Sequence, residues 1–68
     1  MIVKSNTPLS DSEKRNVQRI ATEANCINEA MSRTFGDGFS HYDEATDTAY
    51  FGLHPPYEYV YEIPPSVK

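Results

Sequence analysis

Side chains that do chemistry are scarce in this chain. There is one cysteine, Cys26, and two histidines, His41 and His54. A structural zinc site needs four ligands, usually Cys and His at short fixed spacings, and these three residues do not supply them. Cys26 stands beside Ile27 with no histidine at a suggestive spacing, so it reads as a buried, unreactive thiol. Asp43, Glu44 and Asp47 cluster in sequence but lack the alternating acids and glycine of a calcium loop. Gly36-Asp37-Gly38 follows a helical stretch instead of opening one, which makes it a helix stop and not a phosphate cradle. No nucleophile, base and orienting group are spaced together. The expectation is therefore a protein without cofactor, metal or catalytic site, and not an enzyme.

What the chain does carry is tyrosine and carboxylate. All five tyrosines (Tyr42, Tyr50, Tyr57, Tyr59 and Tyr61) fall in the C-terminal half. Between Arg33 and Lys68 lie Asp37, Asp43, Glu44, Asp47, Glu58 and Glu62, with no lysine or arginine among them. The N-terminal half is near neutral, and its helix pairs Asp11 with Arg15, Arg19 with Glu23 and Glu29 with Arg33 at i, i+4. A one-sided negative field repels phosphate backbones and membranes and attracts basic protein surfaces. Tyrosine adds a large, rigid contact area and a ring face for lysine or arginine. The plain alternatives are that surface acids keep a small protein soluble, and that Tyr57, Tyr59 and Tyr61 pack on the helix.

Several classes are set aside by what is absent. No run approaches the roughly 18 apolar residues of a membrane span, and the first residues lack the apolar core of a signal peptide. A lone cysteine suits a reducing compartment, so the expected location is the cytoplasm, that of the host if the chain is phage-encoded. Pro55-Pro56-Tyr57 is one residue short of a Pro-Pro-x-Tyr ligand. A helix-turn-helix needs two helices, whereas the second half reads as strand, so direct nucleic-acid binding is not expected.

The elements that must position these residues follow from periodicity. At 68 residues the chain is one small domain, divided into a lead-in over 1–9, a helix over 10–35, β-strands over 39–63 and a tail over 64–68. Ser10 and Glu13 form a capping box, with Leu9 as its hydrophobic staple. Val17, Ile20, Ala24, Ile27 and Met31 recur at helical spacing, and no glycine or proline interrupts them. One continuous helix of about 36 Å results. Beyond Gly36 the period becomes two. Residues 43–47 read as a hairpin loop, Ala49, Phe51 and Leu53 share the face that meets the helix, and Tyr57, Tyr59, Tyr61 and Ile63 share a face opposite Glu58, Val60 and Glu62. The expected fold is α+β, with one long amphipathic helix on a small antiparallel sheet of three strands, or four with Ile2 and Val3 at its edge.

Two functional readings result. In the first, the chain is a small inhibitor in the style of phage or mobile-element anti-defence proteins. It docks Tyr50, Asp43, Glu44, Asp47, Glu58 and Glu62 on a larger, basic, nucleic-acid-handling protein. In the second, the helix outruns the sheet and the chain forms a homodimer through Val17, Ile20, Ala24 and Ile27, as an assembly protein.

Overall fold

Val3 and Ser5 alternate inward in strand β1 (Ile2–Ser5), and this strand, expected at an edge, forms the middle of the sheet. The structure is a computed structural model that describes residues 1–64. After β1 come α1 (Asp11–Glu23), α2 (Ile27–Phe35), a 3-10 turn (Gly36–Gly38), β2 (Phe39–Asp43), β3 (Thr48–Phe51) and β4 (Tyr59–Glu62). The strand order is β2-β3-β1-β4. Strand β1 runs parallel to β3 and antiparallel to β4, while β2 and β3 form an antiparallel hairpin. The sheet is therefore four-stranded and mixed, not antiparallel throughout. Period two reveals strands but not their neighbours, and the β1–β3 pairing is of that second kind.

The single helix expected over 10–35 is two helices. The capping box forms as anticipated: Ser10 Oγ accepts from the Glu13 N–H at 3.1 Å, and Glu13 Oε1 accepts from the Ser10 N–H at 2.8 Å. Leu9 is buried beside it. The helix then ends at Ala24, whose backbone is extended (φ −77°, ψ 138°). In the last turn the Thr22 hydroxyl bonds to the Gln18 carbonyl at 2.9 Å, and Asn25 and Cys26 follow. Residues of these types favour local side-chain bonds or lose rotamer freedom in a helix, so they end one without glycine or proline.

Geometry supplies the other reason for the break. A continuous rod would run past strands of four or five residues, about 17 Å long. Instead α1 lies by β4, with the Lys14 ammonium 4.6 Å from the Tyr61 ring centre and Gln18 Nε2 donating to the Pro64 carbonyl. After the break α2 packs on β2, and Asn28 Oδ1 accepts the Tyr42 N–H at 3.0 Å. Two short helices cover one face of a four-stranded sheet that one straight helix would cross only once.

The core between them holds Val3, Leu9, Val17, Ile20, Met31, Phe39, Ala49, Phe51 and Ile63. Phe51 meets Phe35 and Phe39 edge-on, with ring centres 4.9 and 5.3 Å away. Leu53 is not part of it. The chain leaves the strand at Gly52 (φ 122°), and Leu53 is 77% exposed. The tyrosine row also divides: Tyr61 packs against the core, Tyr59 is 38% exposed, and Tyr57 lies against Tyr50 on the other side of the sheet. Only Tyr59–Glu62 is strand, so the alternation expected from Tyr57 does not hold that far. Gly36 ends α2, as the helix-stop reading expected, with a positive φ of 60° but ψ −131°, outside the left-handed helical region of the usual glycine cap. Of the three i, i+4 ion pairs expected on the helix, Glu29–Arg33 forms at 2.7 Å, while Arg19 donates to Asn16 instead. Residues 65–68 of the expected tail lie outside the described residues.

Candidate binding face

The two helices leave one face of the sheet open, and cross-strand register fixes what stands there. His41 pairs with Tyr50, Tyr50 with Lys4, and Lys4 with Val60, giving one row across all four strands. The next row toward the hairpin is Asp43, Thr48, Ile2 and Glu62. The first row is aromatic and cationic at its centre, and the second ends in a carboxylate on each outer strand. Asp43 and Glu62 are three strand spacings apart, about 14 Å.

Tyr50 is the hub. The His41 ring stacks on it at 4.6 Å with planes 20° apart, and Tyr57 leans against it at 5.3 Å. The Lys4 ammonium sits 6.0 Å from the Tyr50 ring centre, at the outer range of cation–π contact. Val60, at the far end of the row, is 57% exposed. Tyr57 reaches this face because the loop over 52–58 is clamped. Asn6 Nδ2 donates to the His54 and Pro56 carbonyls at 2.6 and 2.8 Å, and the Asn6 N–H donates to the Phe51 carbonyl at 3.1 Å. Residues just after β1 thus hold the loop that completes the aromatic strip.

The expected partner-binding residues divide among three places. Tyr50 is at the centre of the open face, Asp43 and Glu62 are in its second row, and Glu44 is in the hairpin loop. Glu58 precedes β4, at the opposite end of that strand from Glu62. Asp47 is engaged in structure. Its carboxylate accepts the Tyr42 hydroxyl at 2.5 Å and lies 3.4 Å from the Met1 ammonium, and its own backbone has φ 51°. A type I turn followed by a left-handed residue closes such hairpins, and aspartate tolerates that conformation better than most residues.

This pair has linked titrations. Tyr42 is pushed up to about 12, first by its hydrogen bond to Asp47, then by burial and by the Asp47, Glu44 and Asp43 charges. Asp47 is lowered, first by the Tyr42 hydrogen bond and then by the Met1 ammonium, against an opposing effect of burial. The lowered carboxylate contributes stability that is complete above 3.8 and is lost as pH falls through the folded value. The raised phenol contributes stability that is complete below 10.0 and is lost as pH climbs toward about 12. Tyr42→Phe is expected to cost about 1 kcal/mol at neutral pH, below the usual range for a charged acceptor because Asp47 is 60% exposed and solvent screens it. Urea unfolding at about pH 3, 7 and 11 should show the wild-type advantage greatest at the middle value and smaller at both extremes. An advantage independent of pH would mean that the hydrogen bond does not carry it.

The helix residues read for self-association are placed differently. Val17 and Ile20 are inside the core, while Ala24 and Ile27 are half-buried on either side of the helix break. A helix-mediated dimer would have only the latter two to offer. Cys26, expected to be buried, is exposed at the start of α2, because the break carries it off the apolar stripe. Among the described residues no group of three or more His, Cys, Asp and Glu side chains could hold a metal ion. No helix among them is long and apolar enough to cross a membrane.

No family model, curated protein or solved structure matches this chain. Sequence reasoning found Tyr50 but missed His41, Lys4, Tyr57 and Val60 as its companions. The alternation of β3 was readable within the strand. The companions depend on strand order and on the Asn6 clamp, neither of which leaves a local signal.

Proposed function

We propose that the chain is a non-enzymatic protein-binding module that docks the open sheet face on a basic surface of a larger, nucleic-acid-handling protein and acts there as an inhibitor. The observation that supports it most is Tyr50, held between His41 and Tyr57 on a helix-free face whose outer strands end in Asp43 and Glu62. Rigid aromatic area at the centre with charge at the rim is the anatomy of a protein interface. Aromatic rings on an open four-stranded sheet can also stack the bases of single-stranded RNA. Here Lys4 is the one cation of the cross-strand row, the surrounding acids repel phosphate, and the whole chain carries a net charge of −4. Protein is therefore the better partner.

The test compares capture of a lysate partner by three forms of the tagged protein. Tyr50→Ala should weaken capture by about thirtyfold, the scale of an aromatic hot spot. The triple variant Asp43→Lys, Glu58→Lys and Glu62→Lys should weaken it by about tenfold or more and remove its salt dependence. Asp47 is left alone, because its loss would disturb the hairpin. Full capture by both variants would sink the proposal, and tight salt-sensitive binding of a single-stranded oligonucleotide would replace it with the RNA reading.

A further inference from the structure

The sheet has two outer strands, and among the described residues β2 alone is protected. On β2 the outward Tyr42 N–H is taken by Asn28 Oδ1, and the register shifts between Phe39 and His41. A capped donor and a bulge are ordinary defences of a sheet edge against strand pairing. On β4 the Ile63 N–H donates to the Met1 carbonyl at 2.8 Å, and the Met1 amine donates back to the Ile63 carbonyl at 3.0 Å. With Ile63 facing β1, antiparallel pairing turns Tyr61 and Tyr59 inward as well and leaves the N–H and C=O of Val60 and Glu62 pointing away from the sheet. Among the described residues nothing pairs with them.

We infer that β4 accepts an extended basic segment of a partner as a fifth strand, with lysines or arginines opposite Glu58 and Glu62 and an apolar residue opposite Val60. This rests on the reading of the chain as a binding module for a basic partner, and it names how part of that partner is held. Strand addition draws affinity from main-chain hydrogen bonds and specificity from alternate side chains. Both are present: a ladder edge unpaired among the described residues, and an exposed valine with a carboxylate toward each end of the strand. Charge decides between a foreign segment and a second copy of this chain. Two β4 strands paired antiparallel about Val60 would set Glu58 of each against Glu62 of the other, and like charges directly opposite destabilise a sheet. The nearby cations do not cancel the carboxylates. The Lys4 ammonium leans to Tyr50 on β3, Lys14 lies over Tyr61 on the helix side, and the Met1 ammonium is bound by Asp47 and the Ile63 carbonyl.

The test uses a blocked nonapeptide, Lys-Thr-Lys-Thr-Val-Thr-Lys-Thr-Lys, titrated into the whole isotope-labelled protein by NMR. The expected result is amide shifts centred on Val60 and Glu62, with no comparable shifts from the same peptide bearing glutamate for lysine. Val60→Pro removes the outward N–H without touching the β1 pairing and should weaken binding about five- to tenfold. Val60→Thr keeps that N–H and should bind nearly as well as wild type. Undiminished binding to Val60→Pro, equal binding of the glutamate peptide, no binding of either peptide, or shifts confined to His41, Tyr50 and Tyr57 would each overturn the proposal. Should Val60→Pro fail to fold, the shift map of the wild type decides alone. Capture of the lysate partner that Tyr50→Ala abolishes, without peptide binding at β4, would leave the face reading intact and remove only the edge.

Discussion

Gly52→Ala is expected to destabilise the domain by about 2–4 kcal/mol and to release Tyr57 from Tyr50, two effects with one cause. The glycine has φ 122°, a conformation L side chains rarely adopt, and an added Cβ would fall 1.7 Å from Asn6 Oδ1 and 3.1 Å from Asn6 Cβ. Asn6 would have to swing away, giving up its hydrogen bonds to the His54 and Pro56 carbonyls. Backbone strain contributes about 1–3 kcal/mol and the lost bonds about 1 more. A chain of this length has only about 3–10 kcal/mol in total. Asn6→Ala alone should cost about 1 kcal/mol, because it loses the bonds without the strain. In that background Gly52→Ala should cost less than in the wild type, since the side chain it collides with is gone. Urea unfolding of the four proteins gives the cycle, and the Tyr50–Tyr57 ring contact can be followed by NMR. Strict additivity, or a Gly52→Ala cost under about 0.5 kcal/mol, would show that the loop shifts without disturbing the clamp.

The same loop shows where sequence reasoning stops. Elements with local causes were legible: the Ser10–Glu13 box, the Gly36 stop, the hairpin over 43–47, and the inward Ala49 and Phe51. Each depends on residues within a few positions. The break at Ala24 was not legible, because Val17, Ile20, Ile27 and Met31 keep a helical spacing across it. Its cause is the size of the sheet, which the helix sequence does not contain, together with weak helix formers at Thr22, Asn25 and Cys26 that carry no glycine or proline flag. Strand order was hidden for a related reason. Strand β1 has only four residues, yet it takes part in two of the sheet's three pairings, and its Lys4 joins Tyr50 to Val60. The acidic residues were visible as composition, but composition could not separate Asp47, which holds Tyr42, from Asp43 and Glu62, which stand on the open face.

Met31→Ala tests the break from the core side and should be strongly destabilising. Met31 is fully buried in the middle of α2 and is the largest side chain so enclosed. Burying methionine and then deleting it costs about 2–5 kcal/mol, the transfer loss plus the cavity left behind. In a domain of this size that is a fall in melting temperature of about 10 °C or more, and at the upper end the chain unfolds. Met31→Leu nearly conserves volume and should cost under about 1.5 kcal/mol. Ile27→Ala, half-buried at the start of the same helix, should fall well below Met31→Ala. The consequence reaches the open face. Helix α2 packs on β2, which carries His41 and receives the Asn28 cap at Tyr42, so a loosened α2 unseats the stacking partner of Tyr50 and exposes a sheet edge that is otherwise closed. Met31→Ala should therefore raise amide exchange along β2 before β4, and it should promote self-association through the uncapped edge. A cost below about 1 kcal/mol, with β2 exchange unchanged, would mean that α2 is held by its connections at both ends and that Phe51, not Met31, is the centre of the core.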